Sequence, residues 1–79
     1  MAQESNVAKP RTFEVAIFNK TVMDMLHRGE RHPNLREDWA ETHYFRTIAY
    51  TADEARRKFA RKYPADLGYV IDDVILIED

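Results

Sequence analysis

The stretch Thr42–Tyr63, THYFRTIAYTADEARRKFARKY, decides the fold of this chain. In its first half Tyr44, Phe45, Thr47, Ile48, Tyr50 and Thr51 are aromatic or β-branched, so they suit a pleated, half-buried surface and predict a strand. The composition then turns abruptly to Ala, Glu, Arg and Lys, which lose little entropy in a helix. Thr51, with Glu54 three residues on, makes a capping box. The hydroxyl is placed to accept from the Glu54 N–H, and the carboxylate to reach back to the Thr51 N–H. Asp53 and Glu54 suit the positive end of the helix dipole, Arg61 and Lys62 the negative end, and Pro64 stops the helix. Ala52, Ala55, Phe59 and Tyr63 form its apolar stripe.

Upstream, Thr12–Phe18 reads as a strand, with Phe13, Val15 and Ile17 on one face and Thr12, Glu14 and Ala16 on the other. Downstream, Gly68–Ile77 reads as a strand apolar on both sides, with Val70, Val74 and Leu76 on one and Ile71, Ile75 and Ile77 on the other. Gly68 suits an unusual dihedral in the preceding loop. The long connection Asn19–Glu41 is expected to hold a short helix over Val22–Arg28, with Thr21 as N-cap and Gly29 at C′. Leu35 and Trp39, four apart, suggest a further helical turn.

The expected fold is therefore a small α+β domain: a three-stranded mixed sheet on one main helix, with a short extra helix in the connection. The favoured strand order is 2-1-3, half of a ferredoxin-like arrangement, against 1-2-3. Met1–Arg11 is polar and aperiodic and reads as a disordered tail; residues 12–79 form the domain.

Composition narrows function without naming it. The chain has 79 residues and a thin core, with no cysteine for a disulfide framework or thiolate site. No apolar run reaches membrane length and no signal-peptide core is evident, so a cytoplasmic protein with no membrane partner is expected. The formal charge of −2 gives no overall bias to nucleic acid. Two glycines exclude a glycine-rich phosphate cradle, and no cofactor is expected.

His27, His32 and His43 crowd the connection with Asp24, Glu30, Asp38 and Glu41. Their spacing, four intervening residues and then ten, matches no ligand pattern, so they read as solvated loop residues and no metal is expected. His43 and Glu41 flank Trp39 closely enough for a buried base to be conceivable. The only serine is Ser5 and there is no cysteine, so no nucleophile–base arrangement is evident and no catalytic residue is assigned.

Two surfaces stand out. Arg57, Lys58, Arg61 and Lys62, with Arg56, form a basic patch on the main helix, though Asp53–Arg57 and Glu54–Lys58 are spaced to pair along it. On the middle strand, the small Ala49 places Phe45 and Thr47 beneath the helix, which sends Tyr44, Arg46, Ile48 and Tyr50 to the other face. Tyrosine, arginine and isoleucine there are a composition enriched at interfaces. The alternative is that Leu35 and Trp39 fold over that face and make it core. The sequence points to a non-enzymatic interaction module that binds a protein partner or itself, a homodimer included. The other class is a nucleic-acid binder with Tyr44, Tyr50 and Arg46 as stacking platform and the basic helix as clamp.

Overall fold

The computed structural model describes residues 9–78, so most of the expected tail, Met1–Ala8, lies outside the described residues. Strand β1 (Arg11–Asn19) runs directly into helix α1 (Lys20–His27). A connection with a 3-10 turn at Glu37–Ala40 leads to β2 (His43–Ala49), then helix α2 (Ala52–Lys62). A second 3-10 turn, Ala65–Leu67, precedes β3 (Tyr69–Glu78). The strand order is β2-β1-β3. The sheet is not mixed: both neighbour pairs are antiparallel. β2 and β3 point the same way, as a crossover through α2 requires, but β1 lies between them and no parallel ladder forms.

The alternation of β1 sets the two sides of the sheet. Phe13, Val15, Ile17 and Asn19 are all buried on one side. Their register partners on β2 are Thr47, Phe45 and His43, and α2 lies across all three strands on this side. Ala49 and Ala55 are buried between sheet and helix, where small side chains let the two approach. Phe59 is half-buried against the same core, and Ala52, expected in the apolar stripe, is exposed instead.

Trp39 carries the connection onto this same side. Its ring stacks on His43 at 4.2 Å and meets Tyr63 at 5.4 Å and Tyr69 at 5.2 Å. Phe45 bridges Phe59 and Tyr63 at 5.6 and 5.4 Å. Offset and edge-on pairs at these spacings favour the aromatic quadrupoles. Burial, and secondarily the neighbouring Tyr63, raise the Tyr69 phenol above its usual 10.0. The folded chain thus holds that proton more tightly than the unfolded one. This contribution to stability is complete below the unfolded value and is lost as pH rises through the raised one.

The N-cap of α1 is Asn19, not Thr21, and the helix begins two residues earlier than its sequence suggests. Asn19 is fully buried. Its Oδ1 accepts from the Val22 N–H at 3.0 Å, and its Nδ2 donates to the Leu67 carbonyl at 3.1 Å. Beside it the Lys20 N–H donates to the Gly68 carbonyl at 2.7 Å. One amide therefore caps a helix and fastens it to the loop that launches β3. Gly68 has φ +95°, and a Cβ there would lie 2.3 Å from Thr21 Oγ1 and 2.8 Å from Asn19 Oδ1. Gly29, the expected C′ residue, closes α1 in a Schellman motif: its N–H donates to the Leu26 carbonyl, and the Glu30 N–H donates to that of Met25.

The two glycines give a direct test. Gly29 has φ +75° and open space around a hypothetical Cβ, so Gly29→Ala is expected to cost about 1–2 kcal/mol for the left-handed backbone alone. Gly68→Ala adds a collision with the Asn19 cap and is expected to cost at least twice as much, read from urea midpoints. Equal midpoints would show that the cap region yields freely.

The main helix provides the second test. The Thr51 hydroxyl accepts from the Glu54 N–H at 3.0 Å as expected, but the Glu54 carboxylate takes the Tyr50 N–H, at 2.6 Å, rather than that of Thr51. Thr51→Ala is expected to cost about 1 kcal/mol. Phe59→Ala is expected to cost about 2–3 kcal/mol, below the range for a fully buried ring because Phe59 keeps some exposure. An unchanged midpoint for Phe59→Ala would refute the assignment of this helix face.

Candidate interaction surface

On the side of the sheet away from α2 the β2 flank is exposed, while Ala16 on the central strand is buried and Phe18 half-buried. Trp39 lies with the α2-side aromatics, so it does not fold over this face. Tyr44 and Ile48 are 62% and 61% exposed, and Tyr50, just past the end of β2, is 49% exposed. Arg46 lies between them, its side chain 72% exposed, with Nε 3.7 Å from a Glu14 carboxylate oxygen on β1. Tyr44, Arg46 and Ile48 therefore stand on one side of the sheet, and Tyr50 is exposed just beyond the end of β2.

The register adds residues that the sequence did not place there. Tyr44 lies opposite Ala16, which lies opposite Asp73; Arg46 lies opposite Glu14, which lies opposite Ile75. Cross-strand partners share a face. The middle of the face is thus Thr12, Glu14, Ala16 and Phe18, with β2 residues on one flank and Val70, Asp73 and Ile75 on the other. The expected faces of β3 need correction. The pairing shifts between Ala16 and Ile17, so Asp72 is an extra residue and the alternation inverts around it. Ile71, Val74 and Leu76 consequently share the α2 side, while Val70 and Ile75 share the open one. A second shift leaves Ile77 as the extra residue between Leu76 and Glu78.

The edges of the sheet are protected in a way the face is not. On β2, the Lys58 ammonium donates to the Ile48 carbonyl at 2.6 Å, and Glu54 holds the Tyr50 N–H. These groups point away from β1, so two α2 side chains occupy the outer edge where β2 ends. On β3, the two bulges and the charges of Asp72 and Asp73 interrupt a flat template for a further strand. Both members of the expected Glu54–Lys58 pair are engaged by this edge instead.

The basic patch lies on the opposite side of the sheet from the tyrosines. Arg57 pairs with Asp53 as expected, Lys58 is taken up by the Ile48 carbonyl, and Arg61 and Lys62 are exposed at the end of α2, with Lys62 also over the Tyr63 ring. Platform and clamp therefore do not converge on one surface.

Two of the three histidines have local tasks. His32 Nδ1 accepts from the Asn34 and Leu35 N–H groups, and His43 Nε2 donates to the Asp38 carbonyl at 2.9 Å. Among the described residues no three His, Cys, Asp or Glu side chains converge as a metal site. A shallow depression of about 400 Å3 is lined by Arg31, His32, Leu35, Arg36, Glu37 and Asp38. Its charges pair across it, Arg31 with Glu37 at 2.8 Å and Arg36 with Asp38 at 3.8 Å. Among the described residues, no helix is long and apolar enough to cross a membrane.

Compared with known protein families, curated proteins and solved structures, the chain finds no match.

The open face should tolerate charge without loss of fold. Ile48→Asp with Tyr50→Asp is expected to keep the wild-type unfolding midpoint to within about 0.5 kcal/mol, as for surface positions outside packed features. A collapse of the midpoint would mean that the face is core.

Proposed function

We propose that this chain is a small non-enzymatic interaction module that docks through the open face of its sheet, on a protein partner or on itself. The observation that carries the reading is the exposure of Tyr44, Ile48 and Tyr50 around Arg46 on one uncovered sheet face. Scattered apolar residues on a surface need no explanation, but a clustered set framed by charge does. Tyrosine and arginine give large contact area and directional hydrogen bonds when desolvated, which is why they dominate binding hot spots. Protection of both edges supports the face, rather than strand addition, as the route of contact. The nucleic-acid alternative requires Tyr44, Arg46 and Tyr50 to act with Arg57, Lys58, Arg61 and Lys62 across the thickness of the sheet, and the separation of those sets argues against it.

The test is a photo-cross-linking amino acid placed at Ile48 in the full chain, in the cell that makes it. The control position is Leu67, equally exposed at 61% but in the 3-10 turn before β3. A discrete protein adduct from position 48 and none from 67 is the expected result. No adduct at 48 would reject the face as a docking surface. A tight, salt-sensitive gel shift with single-stranded oligonucleotide would favour the alternative class.

A further inference from the structure

We infer that His32 is a proton-operated catch on the connection between α1 and β2: the neutral ring holds the turn at residues 32–35 closed, and protonation at Nδ1 releases it.

Two hydrogen bonds set the direction of the effect. Nδ1 of His32 accepts from the Asn34 N–H at 3.0 Å and from the Leu35 N–H at 3.1 Å. A backbone N–H can only donate, so Nδ1 carries no proton in the closed turn and the neutral ring holds its hydrogen on Nε2. An imidazolium donates from both nitrogens. Protonation therefore sets a donor against two donors, and the turn has to open for both amides to reach water. Pro33 prepares the geometry. It has no N–H of its own and disfavours helix at His32, so the first donors within reach are those of Asn34 and Leu35. The turn is closed above the range in which imidazole titrates and opens as pH falls through it.

The segment is anchored on either side of the turn. The Glu30 N–H donates to the Met25 carbonyl at 2.8 Å where α1 closes, and the Trp39 N–H donates to the Arg36 carbonyl at 3.2 Å where the 3-10 turn begins. Release is thus confined to residues 31–36. His32 and Leu35 are half-buried there among exposed neighbours, and both line the depression described above. Opening the turn takes that depression apart, so this part of the surface changes shape with pH.

The charges around the ring do not favour either state. Those lining the depression with it are Arg31 and Arg36 from the connection and Glu37 and Asp38 from the 3-10 turn, and they pair with one another, Arg31 with Glu37 and Arg36 with Asp38. α1 packs against the same turn and carries Lys20, Asp24 and His27, and Arg28 pairs with Glu30 beyond its end. What protonation changes at His32 is therefore the sense of its two hydrogen bonds. The exposed ion pairs hold the turn only weakly by themselves. His43 lacks this response: its Nε2 donates to the Asp38 carbonyl, a bond that the imidazolium keeps.

Amide exchange with water tests the catch, followed by NMR between about pH 8 and about pH 5 and normalised to the intrinsic rate at each pH. Asn34 and Leu35 should lose protection by about fivefold or more as pH falls. Trp39 and Glu41, whose N–H groups donate to the Arg36 and Asp38 carbonyls at 3.2 and 3.0 Å, should keep theirs. His32→Asn retains an acceptor that does not titrate, bonding the amide two residues on as an Asx turn, so Asn34 should stay protected at both ends of the range. His32→Ala should lack that protection at both. Wild-type protection indifferent to pH, equal protection in His32→Ala, or its loss in His32→Asn over the same range overturns the catch. Simultaneous loss at Trp39 and Glu41 overturns its confinement to residues 31–36.

Discussion

The amide of Asn19 is the point on which the chain's two halves depend. It ends β1, caps α1, and ties both to the loop before β3 through the Leu67 carbonyl. An amide carries an acceptor and a donor in fixed relation, so one side chain can serve a helix N-terminus and an orphan carbonyl together. Aspartate matches the first task and not the second, since its other oxygen would meet the carbonyl of Leu67. The geometry also explains Gly68. The loop approaches so closely that a side chain there would occupy the space of the cap. In a domain with so small a core, two buried hydrogen bonds and a tight backbone crossing count for much of the margin, because an unsatisfied buried polar group costs about 1–3 kcal/mol.

That junction also directs the layers. β1 passes straight into α1, and Val22 is buried within the first turn of the helix. The connection then brings Trp39 to the side that α2 already covers. All aromatic mass of the connection is therefore committed to one layer. A two-layer domain normally leaves one sheet face to water, and such faces are polar. This one mixes Thr12 and Glu14 with Ala16 and Phe18 in its middle, with tyrosine and isoleucine along its flanks.

The local signals in the sequence were those backed by stereochemistry. The Thr51 cap, the strand-to-helix junction at Tyr50 and Thr51, the left-handed glycines and the alternation of β1 all follow from constraints acting within a few residues. The exposed set Tyr44, Arg46, Ile48 and Tyr50 was legible for the same reason: one small residue, Ala49, fixed which side of β2 met the helix. What escaped depends on distant partners. Thr21 and Asn19 are both competent caps, and only the Leu67 carbonyl, far along the chain, selects Asn19. The Asp72 bulge has no local mark, since DD between apolar runs fits a strand with or without an extra residue, and a slip of one inverts every side chain beyond it. Hence Ile75 was placed with Ile71 when it stands on the other face, and Asp73 was not recognised as a neighbour of the tyrosine surface.

The bulge has a consequence beyond register. Had β3 continued its alternation unbroken, the side facing Tyr44 and Arg46 would have carried Asp72, Val74 and Leu76 in place of Asp73 and Ile75. Asp73 would then have stood opposite Val15 on the core side, a carboxylate buried under α2. With the extra residue, Val74 and Leu76 pair across from Val15 and Phe13 on the core side, and Asp73 stands on the open side opposite Ala16. Tyrosine acts in the same direction on the β2 flank, since a phenol leaves its hydroxyl in water while its ring remains available for contact. One irregularity in β3 thus supplies the core with two apolar side chains and keeps a carboxylate out of it.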